Sequence, residues 1–506
     1  MDENVPLLAN PEAEESEIGD RLDEHASKDI VGFDPAGDPE NPMEWPAAYK
    51  WGIVALLALT AFTVTFTCTS VIPIANRIVD DLDGVVRGGG DASPSSKSAS
   101  VLLVTIWELG EAAGPLLIGP LSEIFGRYPV INGANVLFVG GTVLAATCGS
   151  SAAFVGARVL TGLAVATNVL GPAIIGDLFP PERRGSAMSC VQLAPLVGGA
   201  IGPAISGAVA ESLGWRRVVW FSAALAGACE LVFLACFRET YRVPILRRRA
   251  ARLRRETGNP ALRTVFDLAG QRDAEKVWEA VLRPFIVFFG SGVLQAMCLF
   301  GGMVFTYFYV MSVTLPVRLG DIMGGHYGLS PALIGSTFIG FSVGSFLSVT
   351  LCNLTLDPIY IRLRDGNKGV GQPEFRLPLV IAGGFFMPFF VALYGWVPQL
   401  GLPLPYSLLS LVLLAFTLQF GYLPLITYVV DTFGIYSASA MTALIVTRCL
   451  MGAFLPLAVH PLVEACGYGW GFTVMGGILL CVAPIPVIVM RYGPKLRQRS
   501  PYTRDE

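Results

Sequence analysis

Residues 186–211 read SAMSCVQLAPLVGGAIGPAISGAVAE, and residues 439–464 read SAMTALIVTRCLMGAFLPLAVHPLVE. Both open on Ser-Ala-Met. Thirteen residues past each first Ser stands Gly199 or Gly452; seventeen past stands Pro203 or Pro456; twenty-five past stands Glu211 or Glu464. The copies are 253 residues apart in a chain of 506. Just upstream, Asp177-Leu-Phe179 and Asp431-Thr-Phe433 align with one residue of slippage. Each copy is long and apolar enough to cross a bilayer as a helix. Two like-oriented copies half a chain apart imply two homologous halves related by a pseudo-two-fold axis along the membrane normal. That arrangement puts a site between the halves near the midplane and lets them rock around it.

Outward from these copies, the whole chain has the same character. Apolar residues make up 53% and charged residues 15%, against about 25% charged in a soluble domain. The apolar blocks predict an all-α membrane protein of twelve spans, six in each half. They fall at 51–73, 100–120, 130–149, 153–175, 187–210, 218–237, 284–313, 332–352, 377–396, 404–428, 437–463 and 468–490. The chain divides into an acidic tail (1–49), a first bundle (50–237), a basic linker (238–283), a second bundle (284–490) and a short tail (491–506). With both termini in the cytosol, the inner segments hold 27 Lys/Arg and the outer loops 6, the bias expected of cytoplasmic loops.

Net charge is −4, unevenly spread. Residues 1–49 carry 14 Asp/Glu and only Arg21 and Lys28, so they read as disordered. Segment 238–283 carries 12 basic and 6 acidic residues; its stretch ILRRRAARLRRET (245–257) reads as a basic interfacial helix, solvated or bound to anionic lipid. No basic excess suggests nucleic acid. The ten Cys are single and no CxxC occurs, so neither disulfide framework nor metal site is indicated. No signal peptide is visible, and no cofactor is called for. There is no Walker A sequence, and the only sequon, Asn353-Leu-Thr355, falls on the cytosolic side.

The loop after span 2 reads GPLSEIFGRYPV (119–130), the loop after span 4 holds RRGSAM (183–188), and span 5 contains APLVGGAIGPAISG (194–207). Further stretches are NPMEWPAAYKW (41–51), RETYRVPILRRRAARLRRETG (238–258), SASAMTALIVTRCLMGAFLPL (437–457) and PIPVIVMRYGPKLRQRS (484–500). On these, nearly everything after residue 40 resembles the major facilitator superfamily, and within it the fungal twelve-span drug:proton antiporter branch. The resemblance implies a conformational gate at Gly119, Leu121, Glu123, Gly126 and Arg127, with Arg127 paired to Asp177. Ile124 and Tyr128 depart from two basic positions of that motif. A pair of this kind is expected to break as the halves rock. The resemblance also makes Pro195, Gly198, Gly199, Gly202, Pro203 and Gly207 an antiporter mark; physically, small residues spaced by four let helices pack closely.

Ionisable groups inside spans are costly and therefore functional suspects. Glu108 and Glu111 are three apart, on one helix face. Glu108 lies 11 residues before Gly119, about 16 Å up the helix. One of them is expected to carry the coupling proton, with Arg158 as modulator and Glu230 as a further candidate. Arg448 is expected to snorkel to the inner headgroups, His460 to be a polar packing residue, and Glu211 and Glu464 to be solvated. Trp107, Gln192, Phe305, Tyr307, Phe308, Tyr309, Phe338, Phe341, Gln419 and Tyr422 are candidates for an aromatic substrate cavity.

The reading is a monomeric secondary active efflux carrier, not an enzyme. It exports a small amphipathic drug, toxin or secondary metabolite in exchange for protons. The alternatives are a proton-coupled carrier of a cationic metabolite such as a polyamine, and a non-transporting sensor on the same scaffold. The N-terminal ENVPLL (3–8) fits an acidic dileucine sorting pattern; the plasma membrane is expected first, the vacuole second.

Overall fold

The computed structural model describes residues 30–34, 37–82, 94–264, 273–320, 327–500 and 502–503. The ENVPLL stretch and the rest of residues 1–29 lie outside them. Among the described residues, eleven helical stretches are long and apolar enough to span a bilayer. In chain order they are Ala47–Leu82, Ala99–Phe125, Arg127–Thr147, Ser151–Leu178, Cys190–Leu213, Trp215–Cys236, Gly292–Leu319, Pro331–Gly366, Pro373–Gln399, Leu404–Phe433 and Ser437–Arg497. The last runs for 61 residues, too long for one crossing at about 1.5 Å per residue. It reverses at Gly467, whose φ of 75° and ψ of 168° interrupt the helix. The chain therefore crosses twelve times, as two six-helix halves.

The reversal between spans 5 and 6 uses the same device. Gly214 adopts φ 85° and ψ 159°, 253 residues before Gly467, at the offset of the sequence repeat. On span 5, Leu193, Val197, Ile201 and Ile205 follow one another at every fourth residue and are all exposed. Such an apolar stripe suits lipid, not water.

Several spans depart from their sequence-derived outlines. Span 4 is two helices, Ser151–Leu163 and Thr167–Leu178. Span 7 starts afresh at Gly292 after a helix ending at Gly290, because Ser291 takes an extended conformation and its hydroxyl accepts the Leu294 amide. Span 11 tightens into a 3-10 turn at Leu455–Ala458, where Pro456 removes a helical donor.

Part of the segment expected to be a disordered tail is held against the linker helix Arg242–Thr257. Asp38 pairs with Arg249, and Glu40 lies 2.8 Å from Arg252. The Val31 amide donates to the Arg263 carbonyl at 2.8 Å. Opposite charge supplies what the segment's own apolar content does not.

Apolar packing distinguishes the two faces of the bundle. At the face opposite the termini one cluster joins both halves, from Val71, Ile74, Ile78, Leu103 and Val218 to Leu315, Leu319 and Ile334. Toward the termini the first half keeps a cluster of its own, built on Ile53, Leu57, Ile118, Ile174, Leu178 and Phe233. The apolar core is thus shared between the halves at one face and divided at the other.

Candidate functional site

A cavity of about 280 Å³ lies between the halves. Spans 2, 4 and 5 supply Trp107, Glu108, Glu111, Asn168 and Gln192. Spans 7, 8, 10 and 11 supply Phe305, Phe308, Tyr309, Phe341, Gln419 and Arg448, and Phe338 lines it as well. Two cavity candidates fall outside this lining. Tyr307 points away, its hydroxyl donating to the Met475 carbonyl at 2.6 Å, because two residues along a helix turn a side chain through about 200°. Tyr422 sits behind Phe305, with ring centroids 5.3 Å apart.

The two span 2 carboxylates share a face but not a fate. Glu111 accepts from Trp107 Nε1 at 3.2 Å, Asn168 Nδ2 at 2.9 Å and Arg448 Nη2 at 3.0 Å. Arg448 comes from the other half and also stacks 4.3 Å from the Phe305 ring centroid. It does not snorkel; its position well inside span 11 puts it beside a buried acid. Glu108 accepts at Oε1 from the Tyr309 hydroxyl, across the halves. Its Oε2 has no hydrogen-bond partner among the described residues. Ligand atoms of Glu108, Glu111 and Cys449 lie within 4.8 Å of one another. The guanidinium already held by Glu111 opposes a metal cation in that cluster.

Arg158 and Glu230 stand apart from this network. Arg158 donates to the Thr67 and Cys68 carbonyls at 3.3 and 3.1 Å and lies 4.6 Å from the Trp107 ring centroid. Trp107 in turn donates to Glu111, so the guanidinium touches that carboxylate through the indole. Glu230 accepts from Asn135 Nδ2 at 2.7 Å, in a separate small pocket with Thr60 and Thr63. Glu211 and Glu464 are exposed, and His460 is half-buried.

At the terminal face, Arg127 Nε stands 3.4 Å from Asp177 Oδ2. Thr240 donates to the same oxygen at 3.2 Å. Glu239 accepts the Arg127 and Tyr128 amides at 2.8 and 3.2 Å, capping span 3. Gly126, at φ 96°, makes room for it; a Cβ there would stand 2.3 Å from Glu239 Oε2. Glu123 is half-buried on the turn before, and a Cβ on Gly119 would make only ordinary contact with Val169. Arg127, Asp177 and Glu239 all sit on or just after the first half. The Arg127–Asp177 pair named by the resemblance is thus a contact within the first half. Polar contacts that do bridge the halves include Glu111–Arg448 and Glu108–Tyr309.

Residues 57–456 match the family profile described as Major Facilitator Superfamily. The chain belongs to the major facilitator superfamily. It is 32% identical over 480 residues to the efflux pump radE of Floropilus chiversii, covering 94% of this chain and 86% of that one. It is 31% identical over 478 residues to the MFS transporter cpaT of Aspergillus oryzae, covering 94% and 93%. The fold is similar to that of the xylose transporter XylE from E. coli in a partially occluded inward-open conformation. There the TM-score is 0.64 at 17% identity, over 88% of this chain and 98% of that one. The protein is a multi-pass membrane transporter of a fungal efflux-type family, and not an enzyme.

In this carrier the small-residue mark of span 5 serves two neighbours. A Cβ on Gly198 would stand 2.8 Å from the Phe62 carbonyl, and one on Gly202 would stand 2.7 Å from Thr69 Oγ1, both on span 1. A Cβ on Gly207 would stand 2.1 Å from the Pro331 carbonyl of span 8. From span 8, one on Gly335 would stand 1.9 Å from the Pro203 carbonyl. Pro195 and Gly199 line the cavity. Sequence reasoning missed Asn168, Glu239, and the pairing of Arg376 with Asp431 at 3.1 Å in the second half. The alignment of Asp177 with Asp431 is the available signal for that last pair.

Proposed function

We propose that this transporter exports a small amphipathic organic molecule, a drug, toxin or secondary metabolite, in exchange for protons. It acts at the plasma membrane as a monomer with both termini in the cytosol. The rocking bodies are residues 50–237 and 284–490, joined by the linker 238–283. The observation that carries this reading is the inequality of two neighbouring carboxylates in the cavity between the halves. Glu111 is charge-paired to Arg448, whereas Glu108 has a hydroxyl partner and one unpartnered oxygen among the described residues. A buried carboxylate without a cation is costly, and a proton removes the charge. Glu108 is thus the coupling group, and Glu111–Arg448 is the latch that rocking must release.

The polyamine alternative is favoured by more than one buried acid in the cavity; two line it, but Arg448 neutralises Glu111 and leaves Glu108 as the one acid without an ion pair among the described lining residues. The test is accumulation of amphipathic compounds in cells lacking the protein, with and without a protonophore. Re-expression lowers accumulation, the protonophore restores it, and Glu108→Gln at equal surface amount behaves like the protonophore. Full gradient-driven efflux by Glu108→Gln rejects the proton role.

A further inference from the structure

The walls of the central cavity differ in chemistry. The second half presents rings: Phe308 lies 5.0 Å from Tyr309 and 5.1 Å from Phe341, centroid to centroid. Phe305 continues the wall, 6.1 Å from Phe308. The first half presents polar groups, among them Glu108, Glu111, Asn168, Gln192 and Thr65.

Four polar atoms of lining residues are buried without a hydrogen-bond partner among the described residues: Glu108 Oε2, Thr167 Oγ1, Ser345 Oγ and Arg448 Nε. The first three residues are no more than 4% exposed. Buried polar atoms are normally satisfied. All four atoms are closed to water in this conformation, so a cargo that seats against them must bring its own donors and acceptors: a donor for the carboxylate, an acceptor for the guanidinium, either for the hydroxyls. A second cation is unwelcome, because Arg448 already stands on the aromatic wall.

We infer that the cargo is a flat, conjugated, hydroxylated molecule without a fixed positive charge, its ring face on the Phe308–Phe341 wall and its hydroxyl edge toward Glu108 and Arg448. This deepens the export reading and rests on it. It also explains exchange: a cargo hydroxyl and a proton compete for the same Glu108 oxygen, so each weakens the other's binding. No bond is made or broken apart from these hydrogen bonds.

The test measures binding of tritiated 2-naphthol to the purified full-length chain, competed by 2-decalol (saturated), naphthalene (no hydroxyl) and 1-methylquinolinium (flat but cationic). Expected is a 2-naphthol affinity roughly tenfold above that for each competitor, with the advantage over 2-decalol lost in Phe308→Leu. Phe341→Leu is the second variant should Phe308→Leu fold poorly. Equal affinity for 2-decalol, or strongest binding by 1-methylquinolinium, overturns the inference. Absence of binding by all four also overturns it, and protonophore-sensitive efflux then leaves the export reading standing. Conversely, a 2-naphthol preference with protonophore-insensitive efflux supports the cargo class and removes the proton exchange.

Discussion

Glu111 on span 2 and Arg448 on span 11 belong to opposite halves, and Arg448 Nη2 stands 3.0 Å from Glu111 Oε1. Both side chains are mostly buried, so removing one leaves a charge that water cannot easily reach. Glu111→Gln and Arg448→Gln should each destabilise the purified protein by about 3 kcal/mol, the low end for breaking a buried pair. The neutral double variant Glu111→Gln/Arg448→Gln should regain part of that loss. Thermal unfolding in detergent measures all three. Additive losses in the double variant would mean that the two side chains are not coupled.

The repeated turn gives a second expectation. Gly214 and Gly467 hold positive φ with ψ near the extended range, a region closed to side-chain-bearing residues at a cost of about 1–3 kcal/mol. Around Gly214 a Cβ meets nothing within 4 Å, so Gly214→Ala isolates backbone strain. At Gly467 the same atom also comes 3.3 Å from Gln399 Oε1. Gly467→Ala should therefore be at least as destabilising as Gly214→Ala in the same thermal assay. A harmless Gly214→Ala would remove the strain argument.

These two relationships mark what the sequence discloses. Block length and the Ser-Ala-Met repeat are local patterns, and they carry twelve crossings and two halves. Helical spacing puts Glu108 and Glu111 on one face, because that too is local. Which neighbour a face meets is not local. Nothing near Arg448 announces that its partner is 337 residues away, and snorkelling is the default for an arginine in a span. Likewise, Arg127 and Asp177 read as a pair within the first half from the resemblance, but only the packed structure brings Glu239 and Thr240 to them. The acidic segment around Asp38 looks unstructured by composition because its partners, Arg249 and Arg252, lie on the linker.

That clasp predicts a pH effect. Burial works against the Asp38 charge, but the Glu40 amide, the Arg249 side chain and the Asp34 amide outweigh it and hold the carboxyl below its ordinary value. A carboxylate whose folded pKa is depressed stabilises the folded arrangement fully above its unfolded pKa. That contribution fades as pH falls through the folded value. Residues 37–46 should be protected from hydrogen exchange at neutral pH and lose protection as pH drops below the ordinary Asp range. Asp38→Asn should lack that protection already at neutral pH. Equal protection in the variant across the range would detach Asp38 from the clasp.

Tyr307 and Tyr309 provide the sharpest comparison, since the same chemical change falls on two sides of one helix. Tyr309 donates to Glu108 inside the cavity. Tyr307 donates to the Met475 carbonyl at 2.6 Å, toward span 12. Tyr309→Phe strips Glu108 of its hydroxyl partner, so the pH profile of efflux should move while the fold persists. Tyr307→Phe should cost about 1 kcal/mol in thermal stability, the worth of an ordinary internal hydrogen bond, and leave the pH profile in place. Efflux measured against external pH in the two variants, at matched surface amounts, separates the roles. A profile displaced as far by Tyr307→Phe as by Tyr309→Phe would mean that the Glu108 contact is not what sets it.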